Sequence, residues 1–222
     1  MSFLRGFSIA MGANIIVFVL SFLNNKLIYV FLDETDNGLF FLVMRMSLLM
    51  ALFFGDWHRY SSLNISGADR ETVPSLSANG LWFSISTAVF LLVILALPFD
   101  LHTEQVFGLP SAFLPVVVIA GCGYIARSNW QSLLLVRHRM LQYGSSFVVW
   151  GIVFLVLDIV FLVVLGRGLE HVLAAFLAAT LISSLWSFAV NVRDGCHRWK
   201  PSGALFRRSL SIGGRAWVAV LG

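Results

Sequence analysis

The chain has 222 residues, 59% of them hydrophobic and 12% charged, with twenty phenylalanines, a mean hydropathy of +0.87 and a formal net charge of +4. Soluble domains average roughly 25% charged residues, so the composition excludes a water-soluble globular protein and indicates an all-α integral membrane protein, a polytopic helix bundle. The positive charge does not indicate nucleic acid, because the bases are scattered in short gaps between apolar runs and are not gathered on one polar face.

In chain order the apolar runs are Ile9–Phe31, Leu39–Phe54, Leu81–Pro98, Ser111–Ala126, Phe147–Gly166 and Val172–Val192, and a seventh begins at Leu210. The clearest is Phe147–Gly166, whose one charge is Asp158. Twenty residues of helix rise roughly 30 Å, the thickness of a hydrocarbon core. The first run is too long for a signal-peptide core and has no small-residue cleavage site after it, so it is expected to stay attached. The seventh run breaks off at Gly222 with no polar tail, and its residues would rise only about 20 Å. The expectation is six transmembrane helices over residues 1–192, a basic cytoplasmic loop over 193–209, and the truncated start of a seventh helix over 210–222.

Threading the runs from a cytoplasmic N-terminus puts ten of the fifteen Lys and Arg residues inside and leaves only Lys26 and Arg167 near the outer face. Arg45, Arg127 and Arg215 fall within or beside the spans. The outer gaps hold the acids Asp33, Glu34, Asp36, Asp100, Glu104 and Glu170, in keeping with the positive-inside rule. The inner gaps 55–80 and 193–208 contain Ser, Gly, Asn and Pro and read as loops or surface helices. Ala174, Ala175, Ala178 and Ala179 recur at helical spacing and would admit a neighbouring helix closely.

Catalytic signatures are lacking: there is no HExxH, no GxxxxGK[ST] and no CxxC. Cys122 and Cys196 stand alone as free thiols, and no metal or cofactor is expected. Asp56-Trp57-His58-Arg59 reads as an interfacial Trp anchor with flanking charges. The chain is therefore expected not to be an enzyme.

Charges inside the membrane are more informative, because each costs roughly 2.5–3.5 kcal/mol at a helix centre on insertion scales and normally faces a bundle interior or a wet cavity. Arg45 lies in the second span and Asp158 in the fifth. Asn14, Asn24, Asn25 and Lys26 form a polar line on the first helix, with Asn14 and Asn25 near one face at 3.6 residues per turn. Arg45 and Asp158 either serve a transport pathway or pair with each other to hold the bundle. Arg127 either snorkels at the inner end of the fourth span or, if that helix continues through Leu133–Val136, faces the cavity.

The order of features resembles a family. The acidic turn Asp33-Glu34-Thr35-Asp36-Asn37-Gly38 between the first two helices, the basic turn in Gln131–Tyr143 and the lead-in Phe206–Gly222 are similar to polysaccharide and O-antigen flippases of the multidrug/oligosaccharidyl-lipid/polysaccharide exporter superfamily. The resemblance implies the N-terminal lobe of a two-lobe transporter. Its activity would be to move a lipid-linked oligosaccharide on a polyprenyl-pyrophosphate carrier across the cytoplasmic membrane by alternating access, for surface polysaccharide biosynthesis. It implies that Arg45, Lys26, Asn14, Asn25 and Arg215 face the substrate and that Asp158 binds a coupling ion. Its partners would be that lipid-linked oligosaccharide, membrane lipids, and the polysaccharide polymerase or export machinery. Two alternatives are a drug/cation antiporter of the same superfamily and a membrane glycosyltransferase or polymerase of a polysaccharide pathway.

The threading is checked with single cysteines placed in a background lacking Cys122 and Cys196. An impermeant thiol reagent applied to intact cells is expected to label positions 33–36 strongly and the 193–208 linker weakly; strong labelling of that linker would refute the orientation.

Overall fold

The computed structural model describes residues 3–96 and 109–221, and all the regular structure among them is helical. Helix α1 runs Phe3–Phe31, α2 Glu34–Ala68, α3 Val73–Ala96, α4 Leu114–Val136, α5 Met140–Asp158, α6 Leu169–Arg193 and α7 Gly203–Leu221. A π-helical segment, Ile159–Val164, continues α5. Six of these stretches are long and apolar enough to cross a membrane. Pro98, Asp100 and Glu104 lie outside the described residues.

The acidic stretch after α1 is not a separate turn. Only Leu32 and Asp33 separate the two helices, and Asp33 caps α2 by accepting a 2.8 Å hydrogen bond from the Asp36 amide. Asn37 Nδ2 donates to the Leu32 carbonyl at 3.1 Å, so it closes the break from the other side. Glu34 and Asp36 then sit in the first turn, where the helix dipole favours negative charge.

Two helices are longer than their apolar runs. α2 has 35 residues, about 52 Å of rise, and it stays helical to Ala68, where the sequence allows a loop or a surface helix. Its polar continuation faces inward: His58, Ser61, Ser62 and Ser66 are buried, and Ser61 and Ser66 donate to the carbonyls of His58 and Ser62 on their own helix. α4 likewise passes Ala126 and runs to Val136, because Asn129, Gln131 and Ser132 are buried against neighbouring helices.

α4 is the central helix, packed against α2, α3 and α6, while α5 lies between α1 and α6, and α7 rests on α2. α1 and α2 share a short connection but do not pack along each other. One apolar core gathers Ile28, Phe40, Val43, Phe154 and Phe176, with the Phe40 ring 6.0 Å from those of Phe154 and Phe176. A smaller core at the opposite end joins Ile65, Val73, Leu76, Leu133 and Cys196.

Lipid tails are as apolar as leucine, so helix association here rests on close fit and polar contacts. A Cβ at Gly144 would meet Ala13 at 2.7 Å and one at Gly151 would meet Leu20 at 2.9 Å, which is how α1 seats on α5. Of the alanines on α6, Ala175 and Ala179 are fully buried, whereas Ala174 is exposed and Ala178 half-buried.

The linkers following α2, α4 and α6 gather at one end. Arg139 Nε lies 3.6 Å from the Asp194 carboxylate, the Arg198 amide donates to the Pro74 carbonyl at 3.1 Å, and Ser77 bonds His197 at 2.9 Å. The three segments that the charge bias groups together are thus one surface.

At the α4–α6 crossing a Cβ at Gly123 would stand 2.8 Å from Thr180 Cγ2. Gly123→Ala is expected to destabilise the detergent-solubilised chain by about 1–3 kcal/mol, the usual cost of overpacking. Adding Thr180→Ser, which deletes that methyl and keeps the hydroxyl for the Trp150 indole, recovers most of the loss in thermal unfolding. Additive losses would show that the crossing is not this tight.

Candidate functional site

Asp158 is the last α-helical residue of α5, at the junction with the π-helical segment, and it is 0% exposed. The Leu165 amide there bonds the Val160 carbonyl five residues back at 3.0 Å, and the Arg167 amide reaches Phe161 at 2.9 Å. Single π turns interrupt a helix at a cost and are frequent at functional sites. Asn24 of α1, 2% exposed, is the polar side chain set against the Asp158 carboxylate. Neither Asp158 oxygen and neither Asn24 amide atom completes a hydrogen bond. A carboxyl and a carboxamide buried against each other offer oxygens that suit a proton or a hard cation.

Arg45 is not the partner of Asp158. It is exposed on α2 and makes no ion pair or hydrogen bond among the described residues. It lies eleven residues past Glu34, about 16 Å of rise and hence near mid-membrane if the start of α2 marks one boundary. Asn14, Asn25 and Lys26 are exposed on α1, Asn24 alone of that polar line turning inward. Arg215 is exposed on α7. These side chains are not drawn into one contact cluster; they stand on three separate helices.

Arg127 is the residue the sequence leaves undecided. Because α4 continues to Val136, Arg127 lies close to that helix's midpoint and points into the bundle. Its guanidinium sits 4.8 Å from the Tyr124 ring centroid, 5.4 Å from Phe147 and 5.9 Å from Trp150. Nη1 donates to Ser183 Oγ at 3.4 Å. The Trp150 indole is itself fixed by a 3.2 Å bond to Thr180 Oγ1. Among the described residues no carboxylate pairs with this cation, and a desolvated cation–π contact contributes about 2 kcal/mol or more. The sequence signal was there: Tyr124 one turn before Arg127, and Phe147 and Trp150 one turn apart on the next helix.

Around Arg127 runs a polar seam. Gln131 donates to Ser146, Ser184 to the Gly123 carbonyl at 2.7 Å, and Asn191 to the Trp130 carbonyl at 3.3 Å. In the Asp56–Arg59 stretch the acid and the base part company. Asp56 lies 3.8 Å from Arg59, while His58 is buried, 3.2 Å from Asn129 Oδ1 and stacked on Phe83. Trp57 packs against Phe83 and Phe206. That arrangement is packing, with no acid–base pair.

No protein-family model matches the chain, and no curated protein matches it in sequence. Solved structures do match. An outward-facing multidrug resistance MATE family transporter of the MOP superfamily aligns with a TM-score of 0.68 at 16% identity, over 96% of this chain and 50% of that one. A MATE mutant gives 0.70 at 17%, over 98% and 52%. A MOP superfamily transporter from Pyrococcus furiosus, described by the reverse polarity of its binding pocket, gives 0.65 at 15%, over 98% and 51%. The chain therefore has the fold of one lobe of these transporters and spans about half the length of the structures it matches.

If Asp158 were half of a structural ion pair, losing it would cost about 3–5 kcal/mol. Since it has no cationic partner among the described residues, Asp158→Asn is expected to melt at or above the wild-type temperature in detergent. Exchanging Arg45 and Asp158 is expected to lower protein level rather than rescue it; rescue by the exchange would restore the ion-pair reading.

Proposed function

We propose that this chain is one lobe of a membrane transporter that carries an anionic, lipid-linked substrate between leaflets by alternating access, the substrate class being a polyprenyl-pyrophosphate-linked oligosaccharide. The fold of a half-transporter supports the transport part. The single observation that carries the substrate class is Arg45, a cation about halfway through the bilayer with no partner among the described residues. An arginine left uncompensated at that depth needs water or a ligand anion. Its planar fork suits a phosphate better than a point charge would.

α1 and α2 leave their shared turn without packing on each other, which opens the flank where the exposed Lys26, Asn14 and Asn25 can work with Arg45. A pyrophosphate would meet cations and amides there, while the polyprenyl tail stays in the bilayer. Asp158 with Asn24 is sealed away between α1 and α5 and is suited to the coupling ion. Such a site drives transport only if ion binding shifts the lobe between states. Arg215 completes the set if the substrate path extends past α7.

A second reading is a cation-coupled drug antiporter, and the unpaired Asp158–Asn24 site supports it equally. One MATE neighbour is described as a multidrug resistance transporter, whereas the Pyrococcus neighbour is described by a pocket of reversed polarity. The fold thus hosts pockets of either sign. Cargo decides between the readings. The cytoplasmic location of the N-terminus and the surface-polysaccharide role belong to the first.

In proteoliposomes holding the whole transporter, the flippase reading expects movement of a polyprenyl-pyrophosphate oligosaccharide that Arg45→Lys partly retains and Arg45→Ala mostly loses, at equal protein level. Wild-type flipping by Arg45→Ala would remove the residue on which the substrate class rests. Export of a lipophilic cation with no oligosaccharide movement would select the antiporter.

A further inference from the structure

Between α3 and the start of α7 lies an open groove of about 300 Å³, walled by Trp82, Phe83 and Phe206 and floored by Asn79 and Ser202. It is a built feature. Asn79 holds the α6–α7 linker at both its polar atoms, donating to the Ser202 carbonyl at 3.0 Å and accepting from the Ser202 amide at 2.8 Å. The Trp82 indole donates to the Trp199 carbonyl at 3.3 Å, and Trp82 and Trp199 remain 49% and 69% exposed. Two exposed tryptophans beside an apolar groove at a helix end are the signature of a membrane–water interface.

After Asp194, the linker and α7 that border the groove carry charge of one sign. Residues 195–222 contain five Lys and Arg and no Asp or Glu. Arg198, Lys200, Arg207 and Arg208 are all exposed, and none forms an ion pair or hydrogen bond through its side chain among the described residues. Arg198 and Lys200 flank Trp199 on the linker, and Arg207 and Arg208 follow Phe206 on α7. His197 adds no charge, since burial pushes its imidazole below the usual value and Ser77 holds it at 2.9 Å.

We propose that this groove is a binding site for an anionic phospholipid, with an acyl chain against Trp82, Phe83 and Phe206 and the phosphate among Arg198, Lys200, Arg207 and Arg208. The two halves of the site match the two halves of the molecule. A zwitterionic lipid would fill the groove equally well but leave the four cations without their partner, so the preference rests on charge, at roughly fivefold in affinity per cation. Because the linker is clamped to α3 by Asn79, a lipid seated there joins α3, the linker and α7 into one body. The site is independent of the cargo.

The test uses the 222-residue chain in phosphatidylcholine nanodiscs, with tryptophan emission quenched by a small fraction of acyl-brominated lipid. Brominated phosphatidylglycerol is expected to quench well beyond the same fraction of brominated phosphatidylcholine, and Trp82→Phe is expected to remove most of that difference. Lys200→Gln or Arg207→Gln alone should shift the phosphatidylglycerol titration by roughly fivefold. Gly203 lines the groove and a Cβ there meets nothing within 4 Å, so Gly203→Leu narrows it without a clash at the backbone; it should abolish the preference while all four cations remain. Equal quenching by both lipids in the wild-type chain, or a preference that survives Gly203→Leu, would overturn the site. So would weak quenching by either lipid, which would mean that protein covers the groove.

Discussion

In hydrocarbon a helix satisfies its own backbone but offers its polar side chains nothing except other helices, and this bundle is arranged by that constraint. Many polar residues of α2, α4 and α6 are buried together. They form a continuous buried seam in which hydroxyls return to their own helix, as Ser47 does to Val43 at 2.8 Å, or cross to a neighbour, as Ser184 does to Gly123. α4, which touches α2, α3 and α6, places Asn129, Gln131 and Ser132 between the larger polar sets of α2 and α6. Small residues at the crossings complete the arrangement, since a seam of short side chains bonds across helices only when backbones approach closely.

The same constraint decides what could be read from the sequence. Number and order of helices were legible because apolar length alone sets them, and the ends at which the linkers meet were legible from the bases between the runs. Lengths were not. The residues after Phe54 read as a loop or surface helix and the fourth apolar run stops at Ala126 because His58, Ser62, Asn129 and Gln131 are polar, yet each is buried among neighbouring helices. Hydropathy scores a side chain without knowing which way it points. The reverse error occurs at Asp33–Gly38, where a run that reads as a turn is the capped first turn of α2.

The candidate site shows the limit more sharply. Asp158 and Arg45 were both visible as charges inside apolar runs, but whether they met was a question of facing. α1, not α2, covers the face of α5 that bears Asp158, so its companion is Asn24, and Arg45 is left on an open flank. Asn24 and Asn25 are adjacent in sequence and opposite in fate, one sealed and one exposed, because successive helical residues point about 100° apart. Arg127 needed a third dimension altogether, since its cage is assembled from two helices and its hydrogen bond from a third.

Two kinds of buried charge thus coexist, and they suit different work. Arg127 is stacked, hydrogen-bonded and central, so moving it would break contacts on α4, α5 and α6 together; it makes those three helices behave as one piece. Asp158 is unsatisfied, next to a π segment, at the seam between α1 and α5, where a bound ion or proton would change the interaction most. Alternating access asks a lobe to be rigid in its middle and responsive at one seam. On the transporter reading proposed above, the Arg127 cage would hold the middle of the lobe and the Asp158–Asn24 contact at the α1–α5 boundary would be the seam that answers to an ion.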